Sequence, residues 1–414
     1  MSNIRKMAEQ YFEDAVELRR RIHQQPELSM EEKETSALVR EKLREYGISI
    51  AELPLETGVI GVLAGERPGR TILLRADMDA LPVEERSGLP FASEKKGVCH
   101  SCGHDIHTAA LLLAARILGG IKKDLAGTVL FLFQPAEEKL NGSQSVIDSG
   151  LFEKYQPDFA VGLHCWPDLP AGTVGVRSGS FMASSDSVSL TVKGRGGHGA
   201  HPHKSVDPIT AAAYILAELQ TVVSRSVAPL EAAVLTMGSI EGGTAANVIP
   251  DTVTMEGTVR TVSRETRALM EEKIRQIACH GAEALGASCE VEYKRGVPAV
   301  ICDPAVVERI RKAAAEELGS ENVVTLETPS MGSEDFASYT YELPCAYLLL
   351  GAGTAQEDPR FGRPMHNPAV VFNEDVLPLG AALHTWLAIQ ELGVMRDELG
   401  VSLPLGEGGA GVSP

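Results

Sequence analysis

The run Cys99-His100-Ser101-Cys102-Gly103-His104-Asp105 is the densest cluster of chemically capable side chains in the sequence, and it stands directly before a helix-like segment carrying His107. Thiolate and imidazole are the preferred ligands of zinc and related divalent ions, and Gly103 lets the backbone turn tightly between donors. Cys99-x-x-Cys102 has the spacing of a structural zinc knuckle, but no second Cys pair closes a four-ligand site. A redox pair is a second reading, although the Ser-His order between the cysteines is unlike an active-site CxxC at a helix start. A buried cysteine beside surface histidines is a third. A catalytic metal site is the reading these residues favour.

Further donors fall where strand-like runs end. The apolar run 129–133 leads into Gln134-Pro135-Ala136-Glu137-Glu138. In an open α/β sheet, ligands gather at the carboxyl ends of the strands. Adjacent residues there point in different directions, so one carboxylate can hold a metal while the other faces a water as general base. A solvated acidic loop is the plain alternative for such a pair. The run 159–163 ends at His164, Arg75-Ala76-Asp77-Met78-Asp79 closes an earlier strand, and Met365-His366-Asn367 adds a late histidine. Asp, Cys/His, Glu and His at four strand ends are hard to assign to coincidence.

The elements that must position these groups are α/β in texture. Ser29-Met30-Glu31-Glu32 reads as a capping box, followed by Leu38, Val39, Leu43 and Tyr46 at helical spacing. Short apolar runs at 59–64, 71–76, 129–133 and 159–163, with a helix-like 109–118 among them, predict a buried, largely parallel sheet with helices on both faces. Near Ser184 the texture changes. Val188, Leu190 and Val192 alternate with polar residues, the period of a half-exposed strand. Asp207-Pro208 opens a helix to about Arg225. Strand-like 233–237 and 253–259, a helix over 263–285 and strand-like 289–293 complete a small α+β unit. Buried α/β texture returns from Val297, with a helix capped by Asp303-Pro304, a strand over 346–350 and a helix over 374–392. The expected organisation is therefore a discontinuous domain of 1–183 and 297–392, an inserted domain of 184–296, and a disordered Gly- and Pro-rich tail at 393–414.

Length and composition bound the function. A chain of 414 residues, 23% charged and 44% hydrophobic, is that of a globular protein large enough for two cores. A net charge of −18 with only two Trp disfavours nucleic acid and anionic lipid as partners. No apolar run reaches the roughly 18–20 residues a membrane helix needs, and the start is not an apolar signal core. Seven scattered Cys speak against a disulfide framework and for a reducing, cytoplasmic location.

Arg21-Ile22-His23-Gln24-Gln25-Pro26-Glu27-Leu28, Arg75-Ala76-Asp77-Met78-Asp79-Ala80-Leu81-Pro82, Cys102-Gly103-His104-Asp105, Gln134-Pro135-Ala136-Glu137-Glu138, Gly196-Gly197-His198-Gly199-Ala200-His201-Pro202-His203 and Gly332-Ser333-Glu334-Asp335-Phe336 follow one another in order. Over about 10–392 the sequence resembles the M20 family of metallopeptidases and amidohydrolases, in particular the branch of N-acyl-amino-acid amidohydrolases, hippurate hydrolases and auxin-conjugate hydrolases. The resemblance implies two divalent metal ions per subunit, with zinc expected and manganese, cobalt or nickel as alternatives. It places the ligands at Cys102, His104, Glu138, His164 and His366, and the general base at Glu137. It further implies a homodimer (or dimer of dimers) in which the inserted domain serves as lid and dimerisation unit. There His198 reaches across from the other subunit to stabilise the oxyanion. Asn247 and Arg260 match substrate-contacting residues, Arg260 on the substrate carboxylate.

Many M20 peptidases have a metal-binding His two residues before an Asp that supports it, where this chain has Asp77-x-Asp79. Cys102 stands where they have a bridging carboxylate. Asp79 is accordingly expected as a supporting residue and Asp77 stays outside the ligand set. The implied substrates are small N-acyl amino acids, cleaved to a carboxylic acid and an amino acid. Rival readings are a dipeptidase or aminopeptidase of the same family, a non-catalytic metal- or ligand-binding homologue, and a Cys102–His104 thiol hydrolase.

Overall fold

The structure, a computed structural model, describes residues 3–392; the tail expected to be disordered at 393–414 lies outside them. An eight-stranded sheet runs in the order Ser49–Ile50, Val59–Ala64, Ala126–Gln134, Arg67–Asp77, Phe159–Trp166, Cys345–Gly351, Val174–Val176, Val323–Thr325. Its four central strands, from Ala126–Gln134 to Cys345–Gly351, are parallel. Antiparallel pairing begins on either side of them. The fold class is mixed α/β with a mostly parallel sheet flanked by helices. The central strands are apolar on both faces, as in Leu130-Phe131-Leu132-Phe133, because helices cover the sheet.

The His104–Gly120 helix is buried along almost its whole length and packs on the helices Leu377–Leu392 and Phe12–Gln24. It starts five residues before the apolar run at 109–118, so His104 and His107 both belong to its first turns. Gly103 sits at φ +90°, and a Cβ there would meet the Cβ of Cys165 at 3.2 Å. Only glycine turns the chain so sharply against the neighbouring strand.

A separate core forms between an antiparallel four-stranded sheet, in the order Ala233–Gly242, Thr252–Thr261, Asp186–Lys193, Ser288–Arg295, and the helices Pro208–Thr221 and Arg264–Ala284. Val188, Leu190 and Val192 point into this core and their polar neighbours point out. Asp207 and Ser263 cap the two helices, accepting from the N–H groups of Ile209 and Thr266. A two-stranded ribbon, Gly197–His198 against Val248–Ile249, stands apart from that sheet.

Three local expectations are corrected. Ser29 and Glu32 form no capping box. The helix begins at Lys33, and its first free N–H groups, of Glu34 and Thr35, are served by the Glu27 carboxylate at 3.1 and 2.8 Å. Ser29 and Glu32 turn instead toward the strand ends, as described below. His164 lies within the strand Phe159–Trp166, opposite Leu349, rather than beyond its end. The strand expected at 233–237 runs to Gly242, across an irregularity between Met237 and Ser239.

Candidate metal centre and active site

Asp77 is the last residue of its strand and lies in register with Gln134, the last residue of the parallel neighbour. The Asp77–Asp79 and Pro135–Glu138 segments therefore leave the sheet side by side, and the start of the His104 helix packs against them. Donor atoms of Cys102, His104 and Glu138 lie within 4.8 Å of one another, as do those of Asp77, His104, His107 and His164.

Hydrogen bonding separates the available donors from the occupied ones. His104 Nδ1 donates to the Asp79 carbonyl at 3.0 Å, which turns Nε2 toward the cluster as the atom that would bind a metal once deprotonated. That atom is buried without a hydrogen-bond partner, and faces Asp77 Oδ2 at 3.8 Å and carboxylate oxygens of Glu137 and Glu138 at 3.9 Å. His164 Nδ1 donates to the Cys165 carbonyl at 2.7 Å, so its Nε2 accepts from the Cys102 thiol, with Sγ 3.4 Å away. Glu138 Oε1 is also buried without a hydrogen bond, with His366 Nε2 at 3.5 Å. Orphaned buried polar atoms converging on one point are what a cation site looks like before its ion is considered. The anchored second nitrogens of His104 and His164 are the usual orienting device.

Asp77 and His107 are spent elsewhere. Asp77 accepts from Arg75 Nη1 at 2.5 Å and binds His107 Nδ1 at 2.5 Å, while His107 Nε2 accepts the Cys165 N–H at 2.7 Å. Despite their proximity to the cluster, both are hydrogen-bonded to protein groups. Sequence reasoning leaves His107 without a role; its spacing of three from His104, on one helical face, is the available signal. Asp79 holds the segment that carries the two glutamates. Its carboxylate accepts from Ser29 Oγ at 2.6 Å and from the N–H groups of both Glu137 and Glu138 at 3.1 Å.

Beneath the cluster Arg75, wholly buried, also donates to Gln134 Oε1, Glu334 Oε1 and Asp335 Oδ1 at 3.0, 2.8 and 3.1 Å. Glu334 and Asp335 bring carboxylate oxygens within 4.8 Å of Glu137. Burial first, then the charges of Glu334, Glu138 and Asp335, hold the Glu137 carboxyl well above the usual range. Glu138 is pushed up to about 7, by burial against the opposing pull of His104 and with a push from Asp79. Burial would lower His104, but Asp77, Asp79 and Glu138 outweigh it and raise it to about 10.

These surroundings remove several alternatives. Glu137 is 5% exposed, so the pair is no solvated acidic loop, and His100, His104 and His107 are buried rather than surface histidines. All seven cysteines are free. Burial raises the Cys102 thiol well above its ordinary value, reinforced by Glu138 and Glu137, the opposite of what a metal-free thiol nucleophile needs.

His198, Asn247 and Arg260 belong to the other sheet and its ribbon. His198 pairs with Val248, and Gly199 N–H donates to the Asn247 carbonyl at 2.8 Å, so one ribbon presents both side chains. The Ala200 N–H donates to His198 Nδ1 at 3.1 Å, which leaves the ring proton of the neutral imidazole on Nε2. Arg260 is half-buried on the Thr252–Thr261 strand, and its Nη1 is buried without a hydrogen-bond partner. Among the described residues, no hydrogen bond, ion pair or ring contact joins His198, Asn247 or Arg260 to the Cys102–His104–Glu138 cluster. No helix of the described residues is long and apolar enough to cross a membrane.

Comparison with known proteins agrees with this geometry. The chain is 41% identical over 360 residues to an N-acetyl-L-cysteine deacetylase of Bacillus subtilis, covering 87% of this chain and 84% of the relative. It is 39% identical over 378 residues to a hippurate hydrolase of Campylobacter jejuni, covering 91% and 96%. A crystal structure from Bacillus subtilis, described as a dinuclear metal-binding peptidase of the M20 family, superposes with a TM-score of 0.81 at 34% identity, covering 94% of this chain and all of that one. Residues 73–390 match Peptidase family M20/M25/M40. With its buried donor cluster at the ends of a parallel sheet, the chain belongs to this family and is a hydrolase of amide bonds.

Proposed function

We propose that the protein cleaves the amide bond of small N-acyl amino acids, releasing a carboxylic acid and a free amino acid. The observation that carries the reading is the pairing of two adjacent carboxylates with different surroundings. Glu138 turns an orphaned oxygen toward His104 and His366, while Glu137, equally near His104 Nε2, lies among the carboxylates of Glu334 and Asp335, which raise its hold on a proton, as a general base requires. The N-acetyl-L-cysteine and hippurate activities named for two relatives support the substrate class.

Cys102, His104, Glu138, His164 and His366 would hold two divalent ions. The soft sulfur among imidazoles suits zinc, with manganese, cobalt or nickel as competitors. Such ions supply Lewis acidity, polarising the scissile carbonyl and lowering the pKa of water at the site. Glu137 takes the proton of the attacking water and returns it to the leaving nitrogen. A basic carboxylate held in a buried, acidic setting suits both halves of that transfer. His198 donates its Nε2–H to the developing oxyanion, a contribution of about 2.7–4 kcal/mol for one donor of this kind. Arg260 forks onto the substrate carboxylate, and Asn247 contacts the substrate beside it.

Among the described residues His198 makes no hydrogen bond, ion pair or ring contact with the cluster of its own chain. This reading therefore takes it from a partner subunit in a homodimer, with 184–296 acting as lid and dimerisation unit. The free cysteines fit a reducing, cytoplasmic setting. The test is Glu137→Gln. The metal-loaded variant should bind metal as the parent does and lose turnover by two or more orders of magnitude, about the range for a lost general base. Near-parental turnover would remove Glu137 from the mechanism. A panel of acetyl-, benzoyl-, indoleacetyl- and long-chain acyl-amino acids then defines the acyl preference.

A further inference from the structure

The residue before the base has an unusual backbone. Ala136 sits at φ +53°, in the left-handed region that alanine rarely enters. Its neighbour across the turn, Gly142, lies so close that a Cβ there would stand 1.7 Å from the Pro135 carbonyl oxygen. Such a conformation persists only where surrounding groups over-determine it. Here the Ala136 N–H is gripped by Glu32 Oε1 at 2.8 Å, and Glu32 Oε2 is itself held by Thr57 Oγ1 at 2.8 Å. Glu32 is completely buried and comes from the loop just before the Lys33 helix, 104 residues away in sequence. Asp79 holds the next two amides, of Glu137 and Glu138.

We propose that Glu32 is the positioning residue of Glu137. Resting on the reading of Glu137 as general base, the inference adds that aim depends on a carboxylate oxygen reaching the Ala136 amide. Glu32 fixes the left-handed peptide, and with Asp79 it leaves three consecutive amides no freedom to swing the Glu137 side chain. Its role is reach, not charge. Gln at position 32 retains an oxygen for the Ala136 N–H and turns its NH2 to Thr57 Oγ1, whereas Asp retains the charge but withdraws the oxygen by about 1.5 Å, one carbon–carbon bond.

Two variants of the metal-loaded protein test this, with hippurate and N-acetyl-L-cysteine as probes. Glu32→Gln should keep kcat within about threefold, while Glu32→Asp should lose about ten- to a hundredfold in kcat with KM and metal content little changed, the scale of a misplacement near 1 Å. In the Glu137→Gln background Glu32→Asp should cost less than about twofold more, because its target is already gone. Hydrogen exchange of the segment 134–141 should quicken in Glu32→Asp and not in Glu32→Gln. A tenfold loss in Glu32→Gln overturns the proposal whether or not the Asp variant folds, since charge would then be the requirement. A full additional loss in the Glu137→Gln background overturns it as well. If Glu137→Gln alone kept full turnover, the base reading would fall while the exchange result still reported the grip of Glu32 on the turn.

Discussion

Loading divalent metal into the metal-free protein at pH 7 is expected to expel at least about two protons per chain. The number follows from the state of each donor before the ion arrives. His104, held up to about 10 by Asp77, Asp79 and Glu138 against the effect of burial, is an imidazolium at pH 7 and must give up the Nε2 proton to become a ligand. Cys102 is a thiol, raised by burial and by Glu138 and Glu137, and must become a thiolate. Glu138, pushed up to about 7 chiefly by burial, gives about half a proton. His164 and His366 are both lowered by burial, with His107 and His104 respectively adding to it, so they are already neutral and contribute none. Glu137 is held high by burial and the surrounding carboxylates, and any proton it loses near a cation adds to the count. The sign is therefore fixed. Protons compete with metal below these raised values, and affinity rises with pH by at least about two decades per unit near pH 7. Titration calorimetry with Zn2+ in buffers of different ionisation enthalpy reads the proton number as a slope, and Cys102→Ser should lower it by about one. Release of fewer than one proton per chain, or an unchanged slope in Cys102→Ser, would refute the assignment of these groups as ligands.

Two further outcomes are expected. Arg260→Lys should raise KM for carboxylate-bearing substrates more than it alters hydrolysis of the matching amino-acid amides, since Lys cannot reproduce the fork; equal effects in steady-state kinetics on both series would end the clamp role. Equal mixing of inactive His198→Ala and Glu137→Gln subunits should restore roughly a quarter of parental activity, because about half the dimers are mixed and each has one intact site of two. No recovery despite verified subunit exchange would reject the partner-supplied histidine.

Much of the fold is legible where local physics decides it. The alternation of Val188, Leu190 and Val192 survives because one face of that sheet is covered and the other is open. Asp303-Pro304 starts a helix because the Asp303 carboxylate takes the N–H groups of Ala305 and Val306 at 2.9 Å and proline supplies a fitting φ. The capping box does not form because a competitor from outside its four residues wins. Glu27 reaches the helix start, and Ser29 and Glu32 find stronger partners in Asp79 and Ala136. The apolar run 71–76 misses the first four residues of its strand, because Arg67-Pro68-Gly69-Arg70 has no apolar pattern and is placed by pairing across to 126–127 and by bonds of Arg67 to the Asp124 carbonyl and of Arg70 to Glu391.

The candidate site divides along the same line. Residue type is local, so Cys102, His104, Glu137, Glu138 and His164 stand out as chemically capable in the sequence alone. Role is not local, because it depends on which atoms other segments have already taken. Asp77 and Asp79 are two residues apart and chemically identical, yet Arg75 and His107 consume the first while the second holds the amides of Glu137 and Glu138. His104 and His107 share a helical face, yet the Cys165 amide occupies Nε2 of one and no hydrogen-bond partner among the described residues occupies Nε2 of the other. Apart from Arg75, the partners that make these distinctions lie 30 or more positions away, brought there by a parallel sheet whose strand order is not the order of the chain. A donor in this centre is therefore recognised by what its remaining atoms lack, which is why the orphaned His104 nitrogen and Glu138 oxygen say more about the ligand set than the spacing of the cysteines and histidines that first drew attention to it.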